Sequence, residues 1–245
     1  VARSSALGSA APQQWVYGVE LTRTRVKERR DGIERNLDTG ASTNVILGER
    51  LPVRDFPNSV LRSEAAFVSG ELRFEGTPWS LLPGLRYDRF AVDARPDGLY
   101  REDFPLQAVA DARDSRLTPR LGLRLALGGS DQLYLAGTEG FRAPPFADVN
   151  IGLALAQFNY VVLPNPDLRP EHSRGFELGW NHVEADVEWR IAAFDNRYRD
   201  LIESRVNRGL NADGATVFQS LNRARARIHG LEGSARVDLS RIELE

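Results

Sequence analysis

One segment of the chain combines the features expected of a binding loop: GFRAPPFADVNIGLALAQFNYVVLPNPDLRPE, at residues 140–171. Prolines stiffen both of its ends, because each proline fixes its own φ angle and restricts the residue before it. The middle of the segment, IGLALAQFNYVVL, is too apolar for an ordinary exposed loop. We therefore expect it to pack against the protein, cover an opening or contact a ligand. Folding on itself for stability alone is an equally good interpretation.

Few other patterns indicate chemistry. The chain has no cysteine, which rules out disulfides, thiolate metal sites and cysteine nucleophiles. It also lacks a glycine-rich phosphate loop, a zinc-spaced ligand pair and a nucleophile elbow. Charged residues do recur at alternate positions of several segments (Glu177, Asp186, Glu188, Arg190, Glu232, Arg236 and Asp238). Such a pattern is typical of a polar sheet face on which opposite charges pair across strands, so we expect no enzyme activity.

The composition excludes several classes of protein. Its 32 Lys+Arg and 34 Asp+Glu leave a net charge of −2, which gives no reason to expect nucleic-acid binding. No run approaches the roughly 18 apolar residues of a transmembrane helix. The absence of methionine, even at position 1, indicates a processed chain or a piece of a longer one. The absence of cysteine suits an oxidising place such as the bacterial envelope.

Hydrophobicity alternates with period 2 along much of the chain. In LGLRLAL, at 121–127, every second residue is leucine, and FELGW at 176–180 alternates in the same way. Because successive side chains of a strand point to opposite faces, each such segment has one apolar and one polar face. The pattern predicts eight strands, at 14–25, 61–74, 80–92, 115–127, 132–141, 172–182, 185–200 and 217–239.

The connections between these strands are sorted by length. Short turns are predicted at 76–79, 128–131 and 182–184, and long loops at 26–60, 93–114, 142–171 and 201–216. Antiparallel neighbours joined in this order have all tight turns at one end and all long loops at the other, which is typical of an outer-membrane β-barrel. A soluble β-sandwich also alternates, but it has no reason to sort its loops in this way.

Aromatic residues near the predicted strand ends fit two interpretations. They can form interfacial girdles, where a ring is half in water and half in an apolar layer, or they can be ordinary packing side chains. The residues concerned are Trp15, Tyr17, Trp79, Tyr87, Trp180 and Trp189.

Several motifs resemble those of one protein family. GFRAPPF at 140–146 followed by NPDLRPE at 165–171 resembles the FRAP and NPNL boxes of TonB-dependent outer-membrane receptors, above all the haem and haemoglobin receptor branch. PGLRYD, FELGW, FDNRYRDLIES and NRARARIHGLEG, at 83–88, 176–180, 194–204 and 222–233, resemble barrel strands of these receptors in the family's order. Residues 15–75 fit more loosely. Together the motifs are specific to the superfamily and less so to the haem branch.

The resemblance implies an all-β fold, an antiparallel transmembrane barrel of about 22 strands in the Gram-negative outer membrane. An N-terminal plug fills such a barrel, and the TonB energy-transducing complex drives uptake. Residues 1–245 then correspond to part of the C-terminal barrel domain, because the chain shows about eight strands, no candidate plug or TonB-contacting box, and ends in Leu244-Glu245 rather than an aromatic residue. Either this is a slice of the wider barrel, or eight strands close as a small one.

The same resemblance implies a ligand, haem or haem carried by a host protein, with no intrinsic cofactor. Haem receptors of the family commonly have a histidine between the two boxes, but here Tyr160 is the only side chain of that interval able to ligate iron directly. Arg142 either pairs with a haem propionate or ties the loop to the barrel wall. The other candidate binding residues are those of the two boxes, namely Phe141, Ala143, Pro144, Asn165, Pro166, Asp167 and Leu168.

Alternatives remain at this point. The missing histidine favours a ferric-siderophore receptor of the same superfamily, and a non-transporting structural or adhesive β-protein is a further alternative. We expect His172, His182 and His229 to be polar residues of strands rather than iron ligands. The basic clusters ARDSR at 112–116 and NRARAR at 222–227 are expected to pair across strands or to contact lipopolysaccharide phosphate at the outer rim of the membrane.

Overall fold

The computed structural model describes residues 2–6 and 13–238, and most of them form one sheet. Within these ranges there are two short helices, α1 (Gly98–Asp103) and α2 (Phe146–Asn150), and a 3-10 turn at Ala156–Phe158. The strands are β1 (Ala2–Ala6), β2 (Gln13–Val26), β3 (Glu34–Arg35), β4 (Ser42–Thr43), β5 (Val45–Ile46), β6 (Glu49–Arg50), β7 (Asn58–Arg73), β8 (Trp79–Arg95), β9 (Ala112–Gly128), β10 (Asp131–Arg142), β11 (Leu153–Leu155), β12 (Tyr160–Leu163), β13 (Glu171–Val183), β14 (Val187–Leu210) and β15 (Thr216–Val237).

The main sheet has eleven strands, in the order β1-β2-β7-β8-β9-β10-β13-β14-β15-β12-β11. Neighbours from β1 to β15 are antiparallel, whereas β12 adds to β15 in parallel and carries β11 on its outer side. Over the described residues, β1 and β11 are free edges and the sheet is open, so the strands do not close as a small barrel. Within those same residues, no helix has both the length and the apolar character needed to cross a membrane.

The period-2 pattern located the long strands correctly. All eight predicted strands are present, with ends that differ from the predicted ones by a few residues in most cases. The short turns also lie where expected, and the one between β9 and β10 uses Gly128 and Gly129 at φ angles of +91° and +58°, which glycine adopts without a steric penalty.

The predicted long loop at 201–216 is wrong. β14 continues to Leu210 and turns directly into β15 at Thr216. The ladder between these strands shifts register at Glu203/Val206 and at Asn207/Leu210. Each such bulge moves the following side chains to the opposite face, so the sequence there loses its alternation even though the backbone stays extended.

The sheet has one continuous apolar face. The register places Leu123, Leu135, Leu178, Ala193 and Leu231 side by side on β9, β10, β13, β14 and β15. Leu135, Leu178 and Leu231 are 49%, 56% and 80% exposed, so no second layer formed by the described residues covers them. An apolar surface of this extent is unusual for a soluble protein and typical of a surface that meets lipid.

Aromatic side chains border this apolar face. Trp79, Trp180 and Trp189 lie near the short turns, and the rings of Trp180 and Trp189 are 4.7 Å apart. Tyr87 lies on the same face of β8 as Trp79, eight residues along the strand, which corresponds to about 26 Å of extended chain. In a barrel strand tilted by about 40°, this distance corresponds to about 20 Å along the membrane normal. This is close to the height of the apolar band of an outer-membrane barrel.

Most of the buried apolar side chains lie in the loops at one end of the sheet, not in its wall. We call this region the loop cluster; it comprises residues 27–57, 96–111, 143–170 and 201–221. Its buried members are Leu51, Val53, Tyr100, Val149, Ile151, Val162, Leu168 and Val217.

Tyr100 and Asn150 form the polar centre of the loop cluster, and both are almost fully buried. The Asn150 side chain pairs with both backbone groups of Ala110, accepting from the amide and donating to the carbonyl at 2.8 Å each. The Tyr100 hydroxyl donates to the Asn150 carbonyl at 3.4 Å and accepts from Gln107 Nε2 at 3.0 Å. The loops 96–111 and 143–170 are therefore joined through buried and partly buried hydrogen bonds.

Substitutions on the two faces of β10 test whether the apolar face meets lipid. In the full-length receptor, Leu135→Lys should destabilise the folded barrel by about 2–4 kcal/mol, because it places a charge in the hydrocarbon layer. Ala136 lies at the same depth on the opposite face, so Ala136→Lys should destabilise the folded barrel much less. Urea unfolding in phospholipid vesicles, followed by tryptophan emission, measures both; equal losses would contradict this assignment of the faces.

Removal of the Asn150 side chain tests the polar centre. Asn150→Ala leaves the Ala110 amide and carbonyl without partners, at a cost of about 1–3 kcal/mol for each buried group. Amide hydrogen exchange across 104–111 should accelerate, while exchange in β9 stays unchanged. Asn207→Ala, which removes an exposed hydrogen bond to the Gly209 amide, is the matched control. Equal protection in both variants would show that Asn150 does not hold this loop.

Candidate functional site

Direct contacts make the loop cluster one unit. The Gly152 amide donates to the Asp55 carbonyl at 2.7 Å, and the rings of Phe56 and Phe146 lie 5.9 Å apart, so the loop 27–57 is held against 143–170. Ser204 Oγ, on the extension of β14, donates to Asp148 Oδ2 at 3.2 Å. Loops from both halves of the chain thus meet over one end of the sheet.

Ion pairs order the first loop of the cluster. Arg30 binds Glu49 through two hydrogen bonds of 2.7 and 2.8 Å and Asp55 through two of 2.8 Å. Hydrogen bonds to Glu49 and then Asp55 raise the pKa of the Arg30 guanidinium above its usual range. The planar guanidinium satisfies both carboxylates at once, and this arrangement fixes the loop backbone on either side of β6.

A second set of charges joins the first loop to α1. Arg54 pairs with Asp97 at 3.0 Å, and the Asp97 side chain caps α1 by accepting from the Tyr100 amide. Burial alone would raise the pKa of the Asp97 carboxyl, but the Tyr100 amide and Arg54 outweigh it and the pKa is lowered. The neighbouring Asp103 accepts a hydrogen bond from the Arg54 amide, but burial outweighs it and raises the pKa of the Asp103 carboxyl.

The FRAP box lies where the wall strand β10 becomes a loop. Phe141 and Arg142 are its last strand residues, and the Phe141 ring lies 5.8 Å from that of His172 on β13. Pro144 is buried and Ala143 half-buried, and the next residue, Pro145, precedes α2. The box thus directs the chain from the wall into the cluster.

The NPDL box fastens the other end of that loop. Asn165 donates from Nδ2 to the Ser220 carbonyl at 2.8 Å and accepts from the Asp167 amide at 3.1 Å, while Leu168 is buried. Pro166 and Asp167 are exposed. On either side of the box, Gln219 donates to the Pro164 carbonyl and Asn222 donates to the Arg169 carbonyl, each at 2.8 Å. These hydrogen bonds therefore hold the segment 164–169 along β15.

Arg142 pairs with Glu171 at 3.3 Å, across the β10–β13 ladder. Glu171 is 8% exposed and its other oxygen accepts from the Ile202 amide at 2.7 Å. The Arg142 side chain itself is 65% exposed. The structure thus shows the tie between loop and wall, and it leaves most of the guanidinium facing solvent.

Tyr160 begins β12, opposite Thr216 on β15. Its half-buried ring packs on that of Phe218 at a centroid distance of 4.8 Å. Among the described residues, its hydroxyl makes no hydrogen bond. The apolar segment 151–163 therefore packs on the edge of the sheet and still presents exposed side chains, including Phe158 at 61%.

An open apolar cleft lies between this segment and the loop that follows α1. It has a volume of about 530 Å³ and is lined by Phe104, Pro105, Leu106, Gln107, Leu163, Pro164 and Gln219. Leu106 is 97% exposed. Leu163 is three residues from Tyr160 on the same short strand, about 10 Å of extended chain. Because residues an odd number apart on a strand point to opposite faces, the Tyr160 side chain does not line this cleft. An open apolar cleft of this kind is chemically suited to a planar apolar ligand.

The three histidines lie outside this cleft. His172 is near the start of β13, its Nδ1 buried and without a partner. His182 stacks on Trp189 at 5.5 Å, near a short turn, and its Nδ1 lies 3.1 Å from Asp131. His229 lies opposite Asp195 in the β14–β15 ladder. No group of three or more metal-ligating side chains occurs in the ranges that the structure describes.

Charges on the second face of the sheet pair across strands, as predicted. Arg190 on β14 binds Glu177 on β13 at 2.7 Å, and both contact the Tyr134 hydroxyl. The Tyr134 ring lies over Gly179, where a Cβ would be 2.2 Å from a ring atom, so only glycine fits. Farther along, Arg236 on β15 lies 3.9 Å from Glu188.

The sequence analysis missed the residues that hold the cluster together. Asn150, Tyr100 and Gln219 form contacts over 40 to 55 positions of sequence, and no local pattern indicates such pairs. One local signal was available: Asp97 followed by Gly98 and Leu99 is a typical helix start, here that of α1.

Solved structures share this fold. The copper transporter OprC matches 97% of the chain and 34% of its own length, with a TM-score of 0.67 and 17% identity. The Serratia marcescens hemophore receptor HasR, solved with its hemophore HasA and heme, matches 93% of the chain and 40% of its own, with a TM-score of 0.60 and 19% identity.

Relatives also match by sequence. A hemin receptor of Yersinia pestis is 27% identical over 197 residues, which are 73% of this chain and 26% of that protein. The hemoglobin and hemoglobin-haptoglobin-binding protein C of Haemophilus influenzae is 30% identical over 124 residues, which are 49% of this chain and 11% of that protein. The chain thus spans about a quarter or less of the length of these relatives.

A family model settles the classification. The model of the TonB dependent receptor-like β-barrel matches residues 3–244, nearly the whole chain. The open sheet, whose strands have one apolar and one polar face, agrees with that match. So do the boxes at 140–146 and 165–171, which lie at the two ends of the loop between β10 and β13. The chain therefore belongs to the TonB-dependent receptor family, as a part of its β-barrel.

Proposed function

We propose that this chain forms part of the barrel wall and outer loops of an outer-membrane receptor that binds haem, free or carried by a host protein, and imports it with energy from the TonB complex. The observation that carries the proposal is the asymmetry of the sheet. One face is apolar and exposed, the other is polar, and an ordered loop cluster covers only the end opposite most of the short turns. This architecture suits capture outside a membrane and passage along a polar wall.

The relatives support haem as the ligand. The names of the Yersinia and Haemophilus proteins refer to hemin and hemoglobin, and the family consists of transport receptors rather than enzymes. In this chain the apolar cleft supplies a hydrophobic surface, and the Tyr160 phenol, elsewhere on the same short strand, supplies an oxygen of the type that ligates ferric haem iron. Arg142 has its exposed guanidinium available for a carboxylate of the ligand, although Glu171 already binds it.

A ferric siderophore is the second candidate ligand. It is favoured by the absence of histidine between Phe146 and Pro164, since a siderophore brings its own oxygen ligands and needs none from the protein. The exposed guanidinium of Arg142 and the polar rim of the loop cluster would then hold an anionic complex.

A haem titration distinguishes the two ligands. Addition of haem to the full-length receptor should give a saturable change in visible absorption. Tyr160→Phe should shift the spectrum and weaken binding about tenfold or more, because it removes the iron ligand but keeps the ring packed on Phe218. Tyr87→Phe, on the membrane face, is the control and should leave the spectrum unchanged.

Two results would contradict different parts of this assignment, the first haem as the ligand and the second Tyr160 as its iron ligand. No saturable change in the wild-type spectrum would remove haem as the ligand, and saturable binding of a ferric siderophore in the same preparation would replace it. A normal spectrum for Tyr160→Phe would keep haem but clear Tyr160 of ligation.

Electrophoresis separates a membrane barrel from a soluble β-protein. The unheated full-length receptor should migrate differently from the heated sample and should require detergent to stay in solution. Unchanged mobility, together with solubility in plain buffer, would favour the structural or adhesive alternative.

A further inference from the structure

We propose that the sheet has a window between β9 and β10, and that this window binds a single-chain amphiphile with a carboxylate head, such as a fatty-acid anion of the outer leaflet. The window is the stretch over which these neighbouring strands run without pairing to each other. The proposal rests on the membrane-spanning part of the proposed function but not on the identity of the transported ligand.

The ladder between β9 and β10 ends before either strand does. In the direction of the loop cluster its last pair is Arg120 with Thr138. Within the described part of the chain, residues 112–119 of β9 pair only with β8, and residues 139–142 of β10 pair only with β13. The break begins at Pro119, and proline has no N–H group to donate to a ladder. Two strand edges therefore face each other without ladder hydrogen bonds between them.

The loop cluster closes this break at its outer end. Ala110 lies just before β9, and both of its backbone groups are bound by the Asn150 side chain at 2.8 Å. Asn150 lies in α2, which follows β10. The break is thus bounded by the pair of Arg120 and Thr138 below, by Asn150 above and by one strand on each side. It is a window in the sheet and not a splayed end.

The window lies at the outer border of the apolar face. Leu117, on its β9 side, is the Cα partner of Tyr87 and lies on the same face. Tyr87 borders this face on the side away from the short turns. Lipid headgroups and water meet at this height of a barrel, so unpaired backbone groups can be hydrated there. An amphiphile keeps its charged head at the same height, because transfer of a charge into hydrocarbon is costly.

Apolar side chains flank the outer mouth of the window. Leu117 is 51% exposed. Phe141, on the β10 side, lies on the same face of its strand as Leu135. Continuation of the ladder in register would make Leu117 and Phe141 Cα partners, so these two residues lie on opposite sides of the window. They give an acyl chain an apolar surface that continues the leucine row below.

A cavity of about 460 Å³ lies behind the window, on the inner face. It is lined from both sides of the window by Thr118 and Gly140, and by Phe90 on β8. Phe141 of the outer mouth also lines this cavity, so the cavity reaches into the window. A second cavity, of about 310 Å³, shares Arg86 and Thr118 with the first. The window therefore leads to open space on the inner face and not onto packed side chains.

Arg120 supplies a cation for the carboxylate head. Its side chain lines the second cavity and lies across Gly84 of β8, where a Cβ would be 2.5 Å from Arg120 Cγ. Among the described residues, no carboxylate pairs with Arg120. Arg86, in the same cavity, is by contrast already paired with Glu20 at 2.8 Å and with Asp88 at 2.9 Å. A carboxylate that enters here meets a guanidinium with all its donors available.

The order of these features fits an amphiphile that bends around the edge of the window. Leu117 and Phe141 contact its chain outside, and Arg120 binds its head inside. A flexible single chain can follow this turn, which favours it over a rigid planar ring.

Photolabelling tests this site in the full-length receptor, reconstituted in phospholipid nanodiscs. The probe is palmitate with a diazirine close to its carboxylate, and peptide mass spectrometry locates the adducts. Adducts should concentrate on residues 112–119 and 139–142. Excess palmitate should remove them, whereas excess hexadecanol, which has the chain but no charge, should not.

Two pairs of variants test the head site and the cavity. Arg120→Gln should lower the labelling about tenfold, because it removes the cation. Arg73→Gln, on the same face near the short turns, should leave the labelling unchanged. Thr118→Trp fills the space behind the window and should abolish the labelling. Ala136→Trp adds bulk to the same face below the window and should have no effect.

Several results would overturn the proposal. Absence of adducts at the window, or equal removal by hexadecanol, would contradict a carboxylate site there. Equal losses in Arg120→Gln and Arg73→Gln would show a nonspecific effect of charge. Removal by haem but not by palmitate would assign the window to the transported ligand instead. Because the haem titration is read separately, failure of the labelling leaves the proposed transport function intact, and failure of the titration leaves the window intact.

Discussion

The structure depends on one constraint: a chain in lipid must pair its backbone polar groups internally while it turns apolar side chains outward. A β-sheet meets both demands only if its strands pair continuously and their side chains alternate. The ladder from β1 to β15 provides the pairing, and the row from Leu123 to Leu231 provides the apolar side. The opposite face is then free to carry Glu177, Arg190 and their neighbours as a polar lining.

A wall one sheet thick has little core of its own, which explains why most of the buried apolar residues lie in the loop cluster. This region resembles a small domain set on the end of the sheet, held by buried hydrogen bonds at Asn150, by the ion pairs of Arg30 and by the clips between 164–169 and β15. Residues of the two boxes, at 140–146 and 165–171, take part in these contacts. The loop held in this way still presents exposed side chains, among them Phe158, and it borders the apolar cleft.

The sequence predicted the parts of this structure that repeat and missed those that depend on distant contacts. The eight long strands follow from alternation, because one apolar and one polar face of the sheet impose the same period on each of them. The extension of β14 was missed because two bulges break that period. The strand β12 was missed because a short apolar run has no period of its own, and its partner β15 lies more than fifty residues away. The motifs at 140–146 and 165–171 correctly marked the two ends of the long loop, but the structural roles of Asn165 and Asn150 became apparent only from their partners.

The two-sided nature of the strands can be measured directly on β9. The chain has no cysteine, so single cysteines at each position from 121 to 127 of the full-length receptor can carry a nitroxide spin label. In lipid vesicles, collisions with oxygen should peak at 121, 123, 125 and 127, and collisions with a water-soluble nickel complex should peak at 122, 124 and 126. If the odd positions were shielded from both reagents, or if the two profiles did not alternate, the leucines would be covered by protein and the membrane-wall account would be wrong.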